Sequence, residues 1–352
     1  MHFCWVIALA TPSDRRYRPK ELAYCTQYAE LKERTESAGQ LLPGTPGALI
    51  KRSGTGYAYW YRVYYPMPGL RSEQLVCKDG DDEALEDARR QVEFAQWSAT
   101  QVKTLRKLEF QVADKGVARV MVELHNKHVL QAGITLVGTL AAMCWLNELG
   151  VSAVAARTQD IVLAARQHLK LGAAQSFLDL MQATKLGFVP IPGMPNREPS
   201  TSVKLKGAEG LRVDLLIHGV KLGRSVPVPQ LKWHAQTIPF YDYLLEQPHK
   251  AALLAGGHCV PVMLPQAQRF IWHKLYSSGS RKRFPEKAEK DLMQAATLAA
   301  ALVELQDEEL AESFNELPTA MRKMVKARLP ALRRALAGHP RTLEQFVSAL
   351  QS

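Results

Sequence analysis

The alternation of apolar and polar positions divides the chain into helical and strand-forming stretches. Residues 14–39 repeat apolar positions at helical spacing, and the stretch LLPGTPG that follows predicts the end of that helix. Residues 48–80 place aromatic and β-branched residues between Gly and Pro turns, which predicts a small antiparallel sheet of two or three strands. From 81 to about 130 an apolar stripe recurs at helical spacing, so connecting helices are expected there.

The stretch GITLVGTLAAMCWLNELG, residues 133–150, predicts a strand that turns directly into a helix. Residues 134–137 form a short, mostly apolar run, which is typical of a buried strand. Gly138 and Thr139 then predict a tight turn, and the helix should continue to about Leu149 before the next glycine ends it.

Each of two further predicted strands carries one carboxylate. The stretch RTQDIVLAA, residues 157–165, is apolar apart from its start and contains Asp160. The stretch STSVKLKGAEGLRVDLLIHG predicts a hairpin with strands at 202–206 and 211–217, and Asp214 stands in the middle of the second strand. Asp160 and Asp214 are therefore the carboxylates that these mostly apolar strands would carry.

Beyond Pro239 the chain is predicted to be helical and basic. The sequence therefore predicts an α+β protein with a central mixed sheet and flanking helices, an N-terminal helix plus small antiparallel sheet, and a C-terminal helical domain. The predicted segments are 1–42 (N-terminal helical), 43–80 (small antiparallel sheet), 81–130 (connecting helices), 131–238 (central sheet domain) and 239–352 (basic helical domain).

Composition and charge narrow the class of partner. The chain has 352 residues, of which 47% are apolar, and this is enough for two or three domains with their own cores. A formal charge of +11 favours an anionic partner such as nucleotide phosphates or nucleic acid. A membrane is not expected as partner because no long apolar span occurs. The alternative is a solvated basic surface that binds no particular partner, and the sequence does not indicate an oligomeric state.

The five cysteines are widely separated and never form a Cys-x-x-Cys pair. Neither a zinc site nor a disulfide framework is therefore expected, and a reducing cytoplasm is the predicted location. The opening MHFCWVIALATPSDRR has a short apolar run without a basic residue before it. Export, or a start codon placed too early, are the alternatives for this segment.

The order of these motifs resembles the nucleotidyltransferase fold of the DNA polymerase beta superfamily, and within it a bacterial branch near the minimal and abortive-infection nucleotidyltransferases. The stretches that carry the resemblance are LVGTLAAM, RTQDIVLAA, LRVDLLI, the helical LPQAQRFIWHKLYSSGSRKRFPEKAEKDLMQA and the N-terminal YAYWYRV. The resemblance extends from about residue 20 to 305, and it implies a nucleotidyltransferase-like domain at 131–238.

The resemblance also implies a set of functional residues. Gly138 and Thr139 would bind the phosphates of a nucleoside triphosphate, while Asp160 and Asp214 would be the first and third ligands of Mg²⁺ and the catalytic carboxylates. Such a site stabilises the attacking and leaving oxygens with two metal ions roughly 4 Å apart, and Mg²⁺ prefers carboxylate oxygens. Independently of the resemblance, Lys274 is a candidate to approach phosphates or RNA from the helical domain, and a solvated charge on a helix is the alternative. The expected reaction is transfer of a nucleoside monophosphate to RNA, protein or a small acceptor.

Val162 departs from this pattern, because the family would have its second acidic residue there. Residues i and i+2 of a strand share a face, so Val162 should accompany Asp160. Three interpretations remain open. The protein is a pseudo-enzyme that binds nucleotide, a weakened transferase that uses a single Mg²⁺, or a transferase whose missing carboxylate comes from elsewhere in the chain.

A non-catalytic nucleic-acid-binding or regulatory role is the competing hypothesis. The basic C-terminal helices, with Arg281, Lys282 and Arg283 in a loop, would bind nucleic acid such as structured RNA or tRNA. The aromatic residues of 57–65 fit a sheet core or a face for stacking on bases, with Arg62 among the flanking cations. Each candidate residue also has a structural alternative: Gly138 as a plain strand-to-helix turn, Thr139 as a helix cap, Asp160 as a surface residue at a strand end, and Asp214 as a partner of Arg212 or another cation.

Overall fold

The computed structural model describes residues 15–54, 56–154, 158–165, 168–193, 198–207 and 210–351. Two compact units divide the chain. Unit 1 contains the described residues of Met1–Lys20, Trp145–Ala155 and Gln266–Ser352, and unit 2 contains those of Glu21–Cys144 and Ala156–Pro265.

The strands of the described chain, in order, are β1 Arg18–Pro19, β2 Ala48–Ser53, β3 Ala58–Met67, β4 Leu70–Lys78, β5 Ile134–Val137, β6 Val151–Ser152, β7 Asp160–Ala165, β8 Phe188–Pro190, β9 Ser202–Leu205, β10 Arg212–His218, β11 Ser225–Val228, β12 Trp233–Ile238, β13 His249–Ala255 and β14 His258–Leu264.

The α-helices are α1 Leu22–Ser37, α2 Asp82–Lys107, α3 Lys115–Asn126, α4 Gly138–Glu148, α5 Phe177–Ala183, α6 Tyr241–Leu244, α7 Ala267–Ser280, α8 Pro285–Gln306, α9 Ala311–Asn315, α10 Thr319–Ala327, α11 Leu329–Ala335 and α12 Pro340–Gln351. The predicted α+β class is therefore confirmed. Among the described residues, no helix is both long and apolar enough to cross a membrane.

A mixed sheet of seven strands forms the centre of unit 2. Its main path runs β11-β12-β10-β7-β5, with β7 parallel to β10 and β5 antiparallel to β7. β9 pairs with the first half of β10 and β12 with its second half. β7 is apolar after Asp160, and β10 is apolar except for Asp214 and its end residues Arg212 and His218.

The N-terminal part of unit 2 packs around α1 and α2. Tyr28 and Leu31 of α1 share a buried cluster with Val102 and Leu105 of α2 and with Phe110. The predicted small sheet has three strands, in the order β2-β3-β4. α1 and α2 bury their apolar faces against each other. This contact stabilises both helices, because an isolated helix has only marginal stability in water.

Residues 249–264 differ from the prediction of a helical C-terminal segment, because β13 and β14 form an antiparallel hairpin there. Gly256 and Gly257 connect the strands with φ angles of +57° and +114°, a conformation that other residues rarely adopt. A Cβ on Gly256 would lie 2.8 Å from the Cα of Lys115. The apolar stretch AALLA on one side of this turn is compatible with a helix or a strand, and the double glycine favours the hairpin.

Unit 1 is helical around Trp272 of α7. This side chain is fully buried, its ring lies 5.0 Å from that of Phe314 and 4.9 Å from that of Phe346, and its indole N–H donates to Ser313 at 3.0 Å. α8 presents a buried run of alanines, which allows α7 and α8 to approach closely. These contacts give the C-terminal helices a core of their own.

Candidate active site

The register of β7 and β10 brings the two predicted carboxylates to one face of the sheet. In this parallel pair Asp160 lies beside Arg212, and Val162 lies beside Asp214. Because alternate residues of a strand point to the same side, all four side chains share a face. Asp160 and Asp214 are therefore diagonal neighbours, with Val162 and Arg212 at the other two corners.

Gly138 connects this face to the start of α4. β5 ends at Val137, which pairs with Val162, and Gly138 follows with φ of +73°. A Cβ at Gly138 would lie 3.3 Å from Cγ2 of Val162, so the backbone of the turn packs directly against the valine. A side chain here would have both an unfavourable φ and a tight contact, and the glycine is what lets the α4 N-terminus approach the carboxylates. Thr139 follows as a half-buried residue of the first turn.

Asp214 is held by two neighbours on the same sheet face. The Nε of Arg212 donates to Oδ1 of Asp214 at 2.6 Å, and the hydroxyl of Ser202 on β9 donates to the same oxygen. Arg212 also donates to the Ser202 hydroxyl at 3.1 Å. The Asp214 side chain is 17% exposed and the Arg212 side chain 41% exposed. The pairing of Asp214 with Arg212 is thus present, and the guanidinium still has an exposed edge.

Asp160 is more open to solvent. It is the first residue of β7 and is exposed, and its backbone N–H donates to the Thr158 hydroxyl at 3.1 Å. The Asp160 carboxylate forms no ion pair with any other described residue. The site therefore combines one exposed carboxylate with one that a guanidinium partly neutralises.

The carboxylates of this face supply only part of the ligand set that a metal ion requires. Among the described residues, no group of three or more His, Cys, Asp or Glu side chains is arranged to hold a metal ion. Two carboxylates on one face fit a single Mg²⁺ that takes its other ligands from nucleotide phosphates and water, as Mg²⁺ in phosphate-binding sites commonly does. Arg212 adds a fixed positive charge and a planar set of donors that suits phosphate oxygens.

Sequence reasoning identified Arg212 only as a partner of Asp214 and did not identify Ser202. The alternation in the stretch LRVDLLI already places Arg212 on the face of Asp214. Ser202 enters through the antiparallel pairing of β9 with β10, in which it stands directly beside Asp214. Ser202 can be identified as a neighbour of Asp214 only from this strand register, and the sequence of the turn does not specify the register.

Lys274 lies on α7 in unit 1, where its ammonium group is buried. It donates to Oδ1 of Asp291 at 2.7 Å, and the Nε of Arg281 lies 2.9 Å from Oδ2 of the same carboxylate. Burial lowers the pKa of Lys274, while the nearby Asp291 favours its charged form. The prediction that Lys274 binds nucleotide is not tested by this geometry, but its pairing favours a structural role.

Asp291→Asn is expected to lower the free energy of unfolding of unit 1 by about 3–5 kcal/mol, because it leaves a buried ammonium group without its counter-ion. In the variant the folded-state pKa of Lys274 stays below its unfolded value, so the unfolded state binds more protons between the two pKa values. Stability should therefore rise with pH through that window. Urea unfolding at several pH values measures both effects.

Asp307→Asn is the matched control for that experiment, since Asp307 forms an exposed pair with Arg341 in the same unit. It should cost less than about 1 kcal/mol, as exposed pairs do. Equal losses in the two variants would contradict a structural role of the Lys274–Asp291 pair.

The predicted nucleic-acid residues Arg281, Lys282 and Arg283 lie in the exposed connection between α7 and α8. Arg281 is partly engaged by Asp291. Phe284, next in the chain, is 56% exposed, which is unusual for an aromatic ring. A basic loop with an exposed aromatic ring is suited to phosphates and bases.

The aromatic sheet β2-β3-β4 is only half buried. Tyr57 and Tyr65 are 59% and 47% exposed, whereas Arg62 is 2% exposed. The guanidinium of Arg62 donates to the carbonyls of Pro43, Thr45 and Pro46, so it holds the loop before β2. The sequence suggested that Arg62 is an exposed cation beside a binding face. The structure contradicts this, because Arg62 is buried.

Comparison with known proteins identifies a family that matches the part of the chain containing this site. A family model described as Nucleotidyltransferase matches residues 115–319, which is more than half of the chain and includes the sheet face with Asp160 and Asp214. No curated protein and no solved structure matches the chain. Because the match extends over the central sheet, the helix that follows Gly138 and the first C-terminal helices, the chain belongs to the nucleotidyltransferase family.

Proposed function

We propose that the protein binds a nucleoside triphosphate at the face formed by Asp160, Asp214 and the Gly138 turn, with a single Mg²⁺, and that its transfer activity is weak. The observation that carries the proposal is the β7–β10 register, which puts both carboxylates, Val162 and Arg212 on one face beside Gly138. Asp160 and Asp214 would hold the nucleotide-bound Mg²⁺, which would neutralise phosphate charge.

The nucleotidyl-transfer reaction of the family determines which chemical groups the site must provide. An acceptor oxygen forms a bond to the α-phosphorus while the α–β bridging bond breaks, and pyrophosphate leaves with the bridging oxygen. The backbone N–H groups at the start of α4 can bind the phosphates, and the helix dipole favours their negative charge. Val162 contributes no ligand where an acidic residue would support a second metal, so activation of the acceptor should be the deficient step.

Arg212 partly offsets this loss in our proposal. Arg212 is the register partner of Asp160 on the neighbouring strand, and its side chain stays 41% exposed while its guanidinium holds Asp214. A guanidinium can donate two parallel hydrogen bonds to phosphate oxygens and does not lose its charge near neutral pH. The site would consequently retain some affinity for triphosphate without metal.

Titration calorimetry with ATP tests the proposal. The affinity should rise about tenfold or more when Mg²⁺ replaces a chelator, because the ion links the carboxylates to the phosphates. Asp160→Asn should remove most of that gain, whereas Asp179→Asn, which changes a carboxylate on α5 in the same unit, should not. Negligible heats for all ribonucleotides and deoxyribonucleotides, with and without Mg²⁺, would rule out the site.

RNA binding through the α7–α8 loop is the second candidate function, and the exposed ring of Phe284 beside Lys282 and Arg283 favours it. Cations would contact phosphates while the ring stacks on a base. tRNA is the suitable probe for structured RNA. Binding of this kind does not require the carboxylates of unit 2.

Replacing Lys282 and Arg283 together by Gln should weaken tRNA binding and reduce the slope of log affinity against log salt by about 1.5–2, because two phosphate contacts are lost. Arg281 is left intact so that the Asp291 cluster is preserved. Gln at Lys103 and Lys107, two exposed positions of α2, is the charge-matched control. Filter binding over a salt series measures both, and identical slopes in the two variants would exclude the loop.

A further inference from the structure

Unit 2 contains a cavity of about 1030 Å³ that is lined by none of the described residues of the candidate active site. Its walls come from α1 and the loop after it, the β3–β4 turn, α2, the start of α3 and the β13–β14 turn. Most of its lining residues precede residue 115, where the family match begins. The cavity therefore belongs mainly to a part of the chain that is added to the family domain.

Flat apolar surfaces line much of the cavity. Phe94 and Tyr65 contribute aromatic rings, and Pro46, Pro66 and Met67 contribute further apolar surface. The volume is at the upper end of the range for small-molecule sites, which are typically apolar with a few polar groups that fix the ligand.

The charges at the cavity are mostly positive. Its lining includes four cationic side chains, Arg34, Arg90, Lys115 and Arg119, and one carboxylate, Glu33. His258 also lines it, and burial lowers the pKa of its imidazole, so the ring is neutral near pH 7. Arg34 and Arg90 form exposed pairs with Glu30 and Asp87, and Arg119 forms a buried pair with Glu123. Among the described residues this leaves Lys115 as the cation of the lining that has no ion pair.

Arg119 is anchored within the protein and is not free for a ligand. It is 7% exposed, and its guanidinium donates to Glu123 and to the carbonyl of Ala183 at 2.8 Å each. Its Nε is buried and has no hydrogen-bond acceptor among the described residues. Because this atom has almost no accessible surface, a ligand in the cavity would not reach it, and Arg119 acts as part of the cavity wall.

From the volume, the apolar walls and the Lys115 ammonium group at the start of α3, we propose that this cavity is a second binding site, for a small organic anion with a planar aromatic body. The anionic group would lie toward α3 and the aromatic body between α2 and the β3–β4 turn. The site would act independently of the nucleotide face, so it extends the proposed function and does not rest on it.

The probe is 8-anilinonaphthalene-1-sulfonate, an aromatic anion, and its counterpart without the sulfonate is N-phenyl-1-naphthylamine. Fluorescence titration of the full chain should show one site for the anion and affinity at least about tenfold weaker for the neutral compound, corresponding to a charge-assisted contact. Saturating ATP with Mg²⁺ should leave the signal unchanged. Displacement by ATP, or equal affinity for both compounds, would overturn the proposal.

Variants locate the site. Ala95→Trp fills the cavity and should weaken binding of the anion at least about tenfold, whereas Gln96→Trp, at the adjacent exposed position, should not. Lys115→Met should weaken the anion about three- to tenfold without affecting the neutral compound, and Lys103→Met should affect neither. Lys115 is exposed, so this pair remains informative if Ala95→Trp does not fold. Equal binding by all four variants would disprove the site.

Discussion

Val162→Asp is expected to convert the site into one with three carboxylates and to increase nucleotide transfer. The side chain lies beside Asp214, on the face of Asp160, and touches the Gly138 turn. Aspartate is smaller than valine and has no methyl group on Cβ, so it can be accommodated beside Gly138. Transfer from labelled triphosphates to total RNA or protein should rise at least about tenfold, since even ligands of the outer shell change metal-site activity by 10–100-fold. Adding Asp214→Asn should abolish the gain.

The same substitution should change stability in a metal-dependent way. Three neighbouring carboxylates repel one another, and Val162 is half-buried, so the variant should lose about 1–3 kcal/mol in chelator. Mg²⁺ or Mn²⁺ with nucleotide should restore much of this loss by binding only the folded state. Thermal unfolding with and without metal measures the difference.

Val162→Asn separates charge from polarity, because asparagine has a similar shape but no negative charge. It should be destabilised with no recovery on adding metal. If Val162→Asp behaves in the same way and stays inactive, Val162 belongs to a packed core and the assignment of this face as a nucleotide site is wrong.

Local patterns predicted the strands of the site well, because each is a short apolar run between turn residues. β5 has the predicted bounds of 134–137, and the hairpin strands β9 and β10 lie within one residue of the predicted limits. Strand alternation alone places Asp160 with Val162 and Arg212 with Asp214. The parallel pairing of β7 with β10 joins positions about fifty residues apart. No local sequence rule determines such a register. The neighbouring position of the two carboxylates was suggested only by the resemblance to a family.

Buried cations were the features that sequence patterns could not identify. Arg62 and Lys274 resemble solvent-facing charges in the sequence, since most such residues are exposed. Each is buried because its partners are supplied by other segments: three carbonyls of the loop before β2 for Arg62, and the Asp291 carboxylate on the next helix for Lys274. The cavity of unit 2 was likewise not predicted, since five separate segments line it.

Arg212→Gln is expected to make nucleotide binding depend more strongly on Mg²⁺. In chelator the variant should bind ATP about tenfold more weakly, because a charge-assisted contact to phosphate is lost. With Mg²⁺ the loss should be smaller, since Asp214 is released from the guanidinium that contacts it at 2.6 Å and can interact with the metal. The ratio of the Kd in chelator to the Kd in Mg²⁺ should therefore rise above that of the wild type.

Two control variants and one stability measurement make the test of Arg212 decisive. Arg212→Lys keeps the charge but not the planar donor pair, so its metal-free affinity should lie between those of wild type and Arg212→Gln. Lys127→Gln removes one exposed positive charge of unit 2 and should leave the ratio unchanged. Thermal unfolding verifies that Asp214, 17% exposed, is still accommodated without its partner. Tighter metal-free binding by Arg212→Gln would show that Arg212 blocks the face by occupying Asp214 and does not bind phosphate.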